Sequence, residues 1–393
     1  MLHRLLAVLS TAILIWTGIG ASPQSTRVPA FFEQQVGTLD TSGYSPAQIA
    51  TAYQIAPLYK SGITGSGQRI AFIELDRFDP IDLQMFGAAA GLPAFAVKES
   101  YAGGKAFALV QAGETTMDLE WAHAIAPGAA LSVYYLKNAK ATVAGWKELA
   151  QTIDQVTKSG TRILSMSFGA CTLGSGYEVV KQALARALKA GVSVFVSSGD
   201  SGSFPGPPQQ CGAQPGVAYP AGDPSVVAVG GTTLLLNTDD SRYAEAAWGL
   251  SGGGKAKPLP RPAWQVTPNL LPGKYRYVPD VAFLADTRTG VAMYYGGSWM
   301  LGGGTSLGAP VWAAIWALIR QDAKQAGKLF PTAPKLLYQI GNSPTNPRAF
   351  NDITIGANGH YQANIGWDPV TGWGTPIVDK LANAVLARLA KAP

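Results

Sequence analysis

The sequence predicts one α/β domain with a mostly parallel central sheet and helices on both faces. Three observations carry this. Apolar runs of strand length alternate along the chain with segments of helix length, the pattern of a parallel sheet buried on both sides. The chain has 393 residues, 47% of them hydrophobic, enough to fill a large core. Its 46 glycines and 27 prolines supply the turns and long ordered loops that such a sheet needs.

The elements follow in order. A helix over residues 45–53 opens on Ser45 as cap and Pro46 as first helical residue. Residues 69–74 read as a buried strand, 115–125 as a helix, 130–135 as a strand and 141–158 as a helix. Then come a strand at 163–167, a helix at 177–189 and strands at 192–196 and 226–229. No repeat or linker interrupts the chain, so a single domain is expected from about residue 41 to 393. In sheets of this kind the chemistry gathers at the C-terminal ends of the strands.

The first residues read as a processing signal. Arg4 precedes an apolar run from Leu5 to Trp16, and small residues follow at 18–22. A signal peptide over 1–21 and a loose segment over 22–43 are expected, with the rest exported, either secreted or periplasmic. The apolar run is shorter than the roughly 20 residues a membrane span needs, and no other segment qualifies. Export gives Cys171 and Cys211 a role as a disulfide closing a 40-residue loop, worth about 4 kcal/mol by chain entropy. The net charge of +6 comes from scattered basic residues. Without a basic run interleaved with aromatics, nucleic acid is excluded as a partner.

The most informative stretch is Gly302-Gly-Gly-Thr-Ser-Leu-Gly-Ala-Pro310, followed by the apolar run to Ile319. It puts Ser306 between a flexible turn and a helix N-terminus, the setting a nucleophilic serine needs. The Gly-Thr-Ser-x-x-x-Pro pattern resembles the nucleophile segment of subtilisin-like serine peptidases. Which base serves Ser306 is then the question. His3 leaves with the signal peptide, and His360 follows Ser306 in an Asn/Gly loop. His123 lies on the helix that also carries Glu114 and Asp118. At about 100° per residue, Glu114 and Asp118 share a face, whereas His123 stands about 180° from Glu114. Glu114 and Asp118 are therefore the better partners, and the surrounding apolar residues argue that the pair is buried rather than a solvated acidic face.

Together these motifs resemble the sedolisin family, the serine-carboxyl peptidases of subtilisin-like fold. The resemblance rests on Glu114-x-x-x-Asp118, Ser197-Ser-Gly-Asp-Ser-Gly202 and Gly304-Thr-Ser306, in that order. Further matching stretches are 219–232, Ser251-Gly-Gly-Gly254, 261–265 and 278–281, so the likeness runs from about Tyr44 to Ala382, and 44–393 is expected as the peptidase domain. It implies that Ser306 is the nucleophile, Glu114 the general base, Asp118 its orienting partner and Asp200 a donor to the oxyanion. A carboxyl donates only when protonated, so acid-active hydrolysis of peptides or proteins, by a monomer, is the expectation.

The resemblance also implies a calcium ion (Ca2+) near the C-terminus. Its ligands would be the side chains of Asp352 and Asp368 and the carbonyls of Ile353, Asn364 and Gly366, hard oxygens that suit Ca2+. The family commonly has glycine where Asn364 stands. Two more departures bear on function. The family is made with a long prodomain, and here no N-terminal prodomain is expected between the signal peptide and the catalytic domain. Glu74 fits an outer position of the family's carboxyl network, but Phe168 stands where some members carry a hydrogen-bonding tryptophan. A catalytically silent binding protein of the same fold, and a Ser-His-Asp hydrolase using His123 or His360, are the rival readings.

Overall fold

Ser45 opens the first helix, α1 (Pro46–Ala52), with a capping box: its hydroxyl accepts from Gln48 N and the Gln48 side chain accepts from Ser45 N. The structure is a computed structural model that describes residues 43–390, apart from 139, 172 and 344–347. The expected signal segment, and all of 22–43 but Gly43, lie outside the described residues.

Beyond α2 (Ala56–Lys60) the chain enters β1 (Arg69–Glu74), α3 (Pro80–Ala89), β2 (Val97–Tyr101), α4 (Gly113–Ile125) and β3 (Ala130–Tyr135). It continues through α5 (Val143–Lys158), β4 (Ile163–Met166), α6 (Glu178–Lys189), β5 (Ser193–Ser197) and the short α7 (Pro208–Cys211). The strands β6 (Val227–Leu236), β7 (Arg242–Ala247), β8 (Gly254–Pro260), β9 (Tyr275–Val278) and β10 (Val281–Leu284) follow. A hairpin of β11 (Val291–Tyr295) and β12 (Ser298–Gly302) leads into α8 (Thr305–Gln325). The chain ends through α9 (Lys335–Gly341), β13 (Phe350–Asn351), β14 (Thr375–Pro376) and α10 (Val378–Arg388).

The main sheet runs β2-β3-β1-β4-β5-β6-β10, every pair parallel, with β7 antiparallel on β6. Alternation along β1 shows how it is covered. Ile70 and Phe72 face the core built around α4 and α8, while Ala71 and Ile73 face α5 and α6. Helix α8 lies against β4, β5, β6 and β10, with Trp312 and Trp316 fully buried. Truncating either would cost about 3–5 kcal/mol. This is the mostly parallel subtilisin-like sheet expected from the sequence.

Several strands escape the sequence reading, and β6 and β2 show why. β6 runs on to Leu236 because pairing with β10 carries it through Gly230 and Gly231, which weaken a strand signal read from propensity, and pairing with β7 continues it from Thr232. β2 is an edge strand bearing Lys98 and Glu99, a polar edge that lacks the apolar run of a central strand. Cys171 and Cys211 form the expected disulfide. Among the described residues no helix is long and apolar enough to cross a membrane.

Candidate active site

Three strand ends and two helix starts meet at the C-terminal edge of the sheet. Glu74 is the last residue of β1, Ser167 follows β4, and the Ser198-Gly-Asp200 loop follows β5. Facing them, the first turn of α4 carries Glu114 and that of α8 carries Ser306.

The α4 pair is drawn in as expected. Asp118 is fully buried and Glu114 is half-buried. Ser306 stands close enough to Glu114 for its hydroxyl to lower the Glu114 carboxyl pKa. Asp118 accepts from Ser167 Oγ at 2.7 Å and shares a hydrogen bond with Glu74, itself almost fully buried. Two carboxyls can share such a bond only when one is protonated. Burial raises the pKa of all three groups, and like-charge repulsion raises them further. For Glu114 the rise reaches about 8, although the Ser306 hydroxyl pulls it down.

The α8 side explains its motif residue by residue. Gly304 has φ +77°, and a Cβ there would come within 2.5 Å of Asp200 Oδ2, so only glycine serves. Thr305 donates to Asp200 Oδ1 from its backbone N at 2.8 Å and from its hydroxyl at 2.7 Å. Pro310 lacks the N–H that would bond to the Ser306 carbonyl one turn back. That carbonyl instead lies 3.2 Å from the Ser167 hydroxyl. Asp200 is exposed as a residue, yet the protein atoms around its carboxyl desolvate it and raise its pKa. Gly252 N donates to Gly199 O at 2.7 Å, so the Ser251-Gly-Gly-Gly254 stretch supports the Asp200 loop from behind.

The histidines are elsewhere. His123 Nε2 lies 2.8 Å from the Pro93 carbonyl and its ring stacks on Phe95, away from Ser306 as the helical phase required. His360 is exposed beside Tyr361. Phe168 packs at the margin of the α5/α6 core.

Three residues at this edge were not singled out from the sequence. Ser167 joins Asp118 to the Ser306 backbone, Thr305 orients Asp200, and Asp76 accepts from Thr115 Oγ1 at 2.6 Å. The signal available for Asp76 and Ser167 was their position at or just past the C-terminal ends of β1 and β4.

Near the C-terminus the structure brings Asp352 and Asp368 onto neighbouring loops. Asp352 Oδ2 accepts from Gly366 N at 2.8 Å, and Asp368 Oδ2 accepts from Asn364 N at 3.1 Å. Gly366 has φ +79°, whereas Asn364 avoids the left-handed region, so asparagine is tolerated there. Burial raises the Asp368 carboxyl to about 7. Carboxylates are hard oxygen donors that suit a hard cation, but the partners these two meet here are backbone amides and a hydroxyl. Among the described residues no cluster of three or more His, Cys, Asp or Glu side chains could hold a metal.

Comparison with known proteins agrees with this geometry. A family model described as the subtilase family matches residues 106–336. Kumamolisin of Bacillus sp. (strain MN-32) is 34% identical, the alignment covering 93% of this chain and 68% of kumamolisin. Sedolisin of Pseudomonas sp. (strain 101) is 29% identical, over 86% of this chain and 61% of sedolisin. The solved Pseudomonas sedolisin, a serine-carboxyl proteinase complexed with two molecules of pseudo-iodotyrostatin, superposes with a TM-score of 0.77. It is 25% identical, with 89% of this chain and all of that chain covered. By the family model, the identity with kumamolisin and the superposition on sedolisin, the chain belongs to the sedolisin family of serine-carboxyl peptidases, within the subtilases.

Proposed function

We propose that this protein is an exported, acid-active peptidase that acts as a monomer and cuts peptide bonds through an acyl-enzyme on Ser306. The observation that carries this reading is that the first turns of α4 and α8 put Glu114 beside Ser306 while His123 and His360 lie elsewhere.

In the forward step Ser306 Oγ attacks the peptide carbonyl and its proton passes to Glu114. With its pKa raised to about 8, Glu114 is protonated in most resting molecules at acid pH, and the ionised fraction, which the Ser306 hydroxyl stabilises, is the species that takes the proton. Asp118, held by Ser167 and Glu74, keeps its proton and orients the pair. The oxyanion receives the Asp200 proton donor and the Ser306 N–H, a first-turn amide without a helical partner. Glu114 then gives its proton to the leaving amine. Water deacylates Ser306 with Glu114 again as base. Asp200 must be protonated to donate, which sets the upper limit of the working range.

The Asp352, Asp368, Ile353, Asn364 and Gly366 oxygens would hold Ca2+, which would supply positive charge to the buried Asp368 carboxylate and fasten the two C-terminal loops. A chelator should then lower the unfolding temperature, and Asp368→Asn should abolish that sensitivity.

The test is hydrolysis of an unfolded protein at about pH 3–5, near the carboxyl range, with Ser306→Ala as control. Activity as fast at pH 8 as at pH 4 would refute acid action. No hydrolysis by folded protein anywhere in that range would leave a silent binding protein of this fold.

A further inference from the structure

We propose that Asp76 is a positioning residue that holds the first turn of α4 through Thr115 and so aims Glu114 at Ser306. The proposal rests on the Ser306–Glu114 reading above and extends it to a residue outside the motif set.

Helix α4 begins without a cap of its own. Ala112 stands at the capping position and has no side-chain oxygen to offer. The orphan amides of a first turn need acceptors, and Ser, Asp or Asn at the cap normally supplies one. Asp76 supplies it from another element. Its Oδ1 lies 2.6 Å from Thr115 Oγ1 and 3.3 Å from Thr115 N. The same hydroxyl is 3.0 Å from the Asp76 carbonyl and 3.4 Å from Glu74 Oε2. Thr115 follows Glu114 directly, so these bonds fix the rotation of the turn that carries the base. Asp76 is only 6% exposed, and the exit of β1 places it.

A purely structural cap here would be better served by asparagine, which accepts the same bonds without adding charge to an acidic cluster. The groups facing Asp76 are Glu74 from β1, Glu114 and Asp118 from α4, and Tyr295 from the β11–β12 hairpin. Its neighbour Arg77 is turned to Glu99, 3.9 Å away. Asp76 therefore adds negative potential at Glu114 and favours its protonated form, as well as holding its turn.

The experiment compares Asp76→Ala and Asp76→Asn by kcat, KM and the pH profile of kcat/KM on one peptide, with thermal unfolding alongside. Asp76→Ala should lower kcat on the order of 10²-fold with little change in KM, the usual penalty for a misplaced catalytic group. Asp76→Asn should keep kcat within about threefold, because its amide oxygen still accepts from Thr115. Its acid limb should move to lower pH as a charge beside Glu114 is lost. The proposal is overturned if Asp76→Ala keeps wild-type kcat, or if Asp76→Asn leaves the acid limb in place. If Asp76→Ala does not fold, that limb decides alone. Ser306→Ala and Glu114→Gln run in the same assay separate the two levels. Should both be inactive while Asp76→Ala is fully active, only the Asp76 role falls; should either stay active, the catalytic reading falls and takes this role with it.

Discussion

The two edges of the main sheet treat buried carboxyls in opposite ways. At the N-terminal edge, Asp280 and Arg276 are both fully buried and form a 2.6 Å ion pair. Asp280 also accepts from Ala228 N at 2.8 Å and from the Tyr338 hydroxyl at 2.9 Å. At the C-terminal edge, Glu74, Asp76, Glu114 and Asp118 lean on hydroxyls, one backbone amide and each other. A buried carboxylate with a guanidinium partner can stay charged. A buried carboxyl among other carboxyls keeps its proton instead. The first arrangement holds strands and loops together, and the second gathers carboxyls of raised pKa near a serine. The same side-chain chemistry thus separates into scaffold and site according to what surrounds it.

The largest effect that would break this comparison is catalytic. Glu114→Gln should lower kcat/KM by about 10²–10⁴-fold, the range of general base catalysis, with the unfolding temperature unchanged or raised. A mutant that stays active would show that the acidic edge is scaffold as well. Next, Asp280→Ala should cost about 3–5 kcal/mol in denaturant unfolding, because the Arg276 charge is left buried without its partner. A loss no larger than that of a surface substitution would remove the scaffold role.

The third effect concerns stability and pH. Glu114 has its folded pKa raised from 4.5 to about 8, and Glu74 and Asp118 are raised as well. The folded protein therefore binds more protons than the unfolded chain between those values. The stability this linkage contributes is fully present below pH 4.5 and is lost as pH rises through about 8. Urea unfolding at a series of pH values should show that decline, and Glu114→Gln should flatten it; a wild-type curve flat through this window contradicts the protonated cluster. The smallest effect sharpens the contrast with the surface. Arg186 and Asp154 meet at 2.8 Å in solvent, and Arg186→Ala should change stability by less than about 1 kcal/mol.

Much of the catalytic edge was legible because helical phase is a local property. Glu114 and Asp118 share a face of α4 and His123 does not, whatever else the chain does. The strand β1 and the helices α5 and α6 were readable for the same reason, since apolar periodicity records which face is covered. Ser167, Thr305 and Asp76 were not readable in this way. Their partners are Asp118, Asp200 and Thr115, on other elements and far along the chain. β2 and the β11–β12 hairpin escaped because edge and hairpin strands are held by pairing more than by composition.

By itself the sequence determined the alternating architecture, the carboxyl pair on one helical face and the glycine turn before Ser306. Those depend on spacing within a few residues, which backbone geometry alone converts into direction. Only the tertiary structure decided that the pair would be buried without a cation, and that Pro310 would free a carbonyl for Ser167. It also decided that Asp76 would cap a helix belonging to another element. Burial, and the proton affinity that follows from it, depend on neighbours brought in from distant parts of the chain.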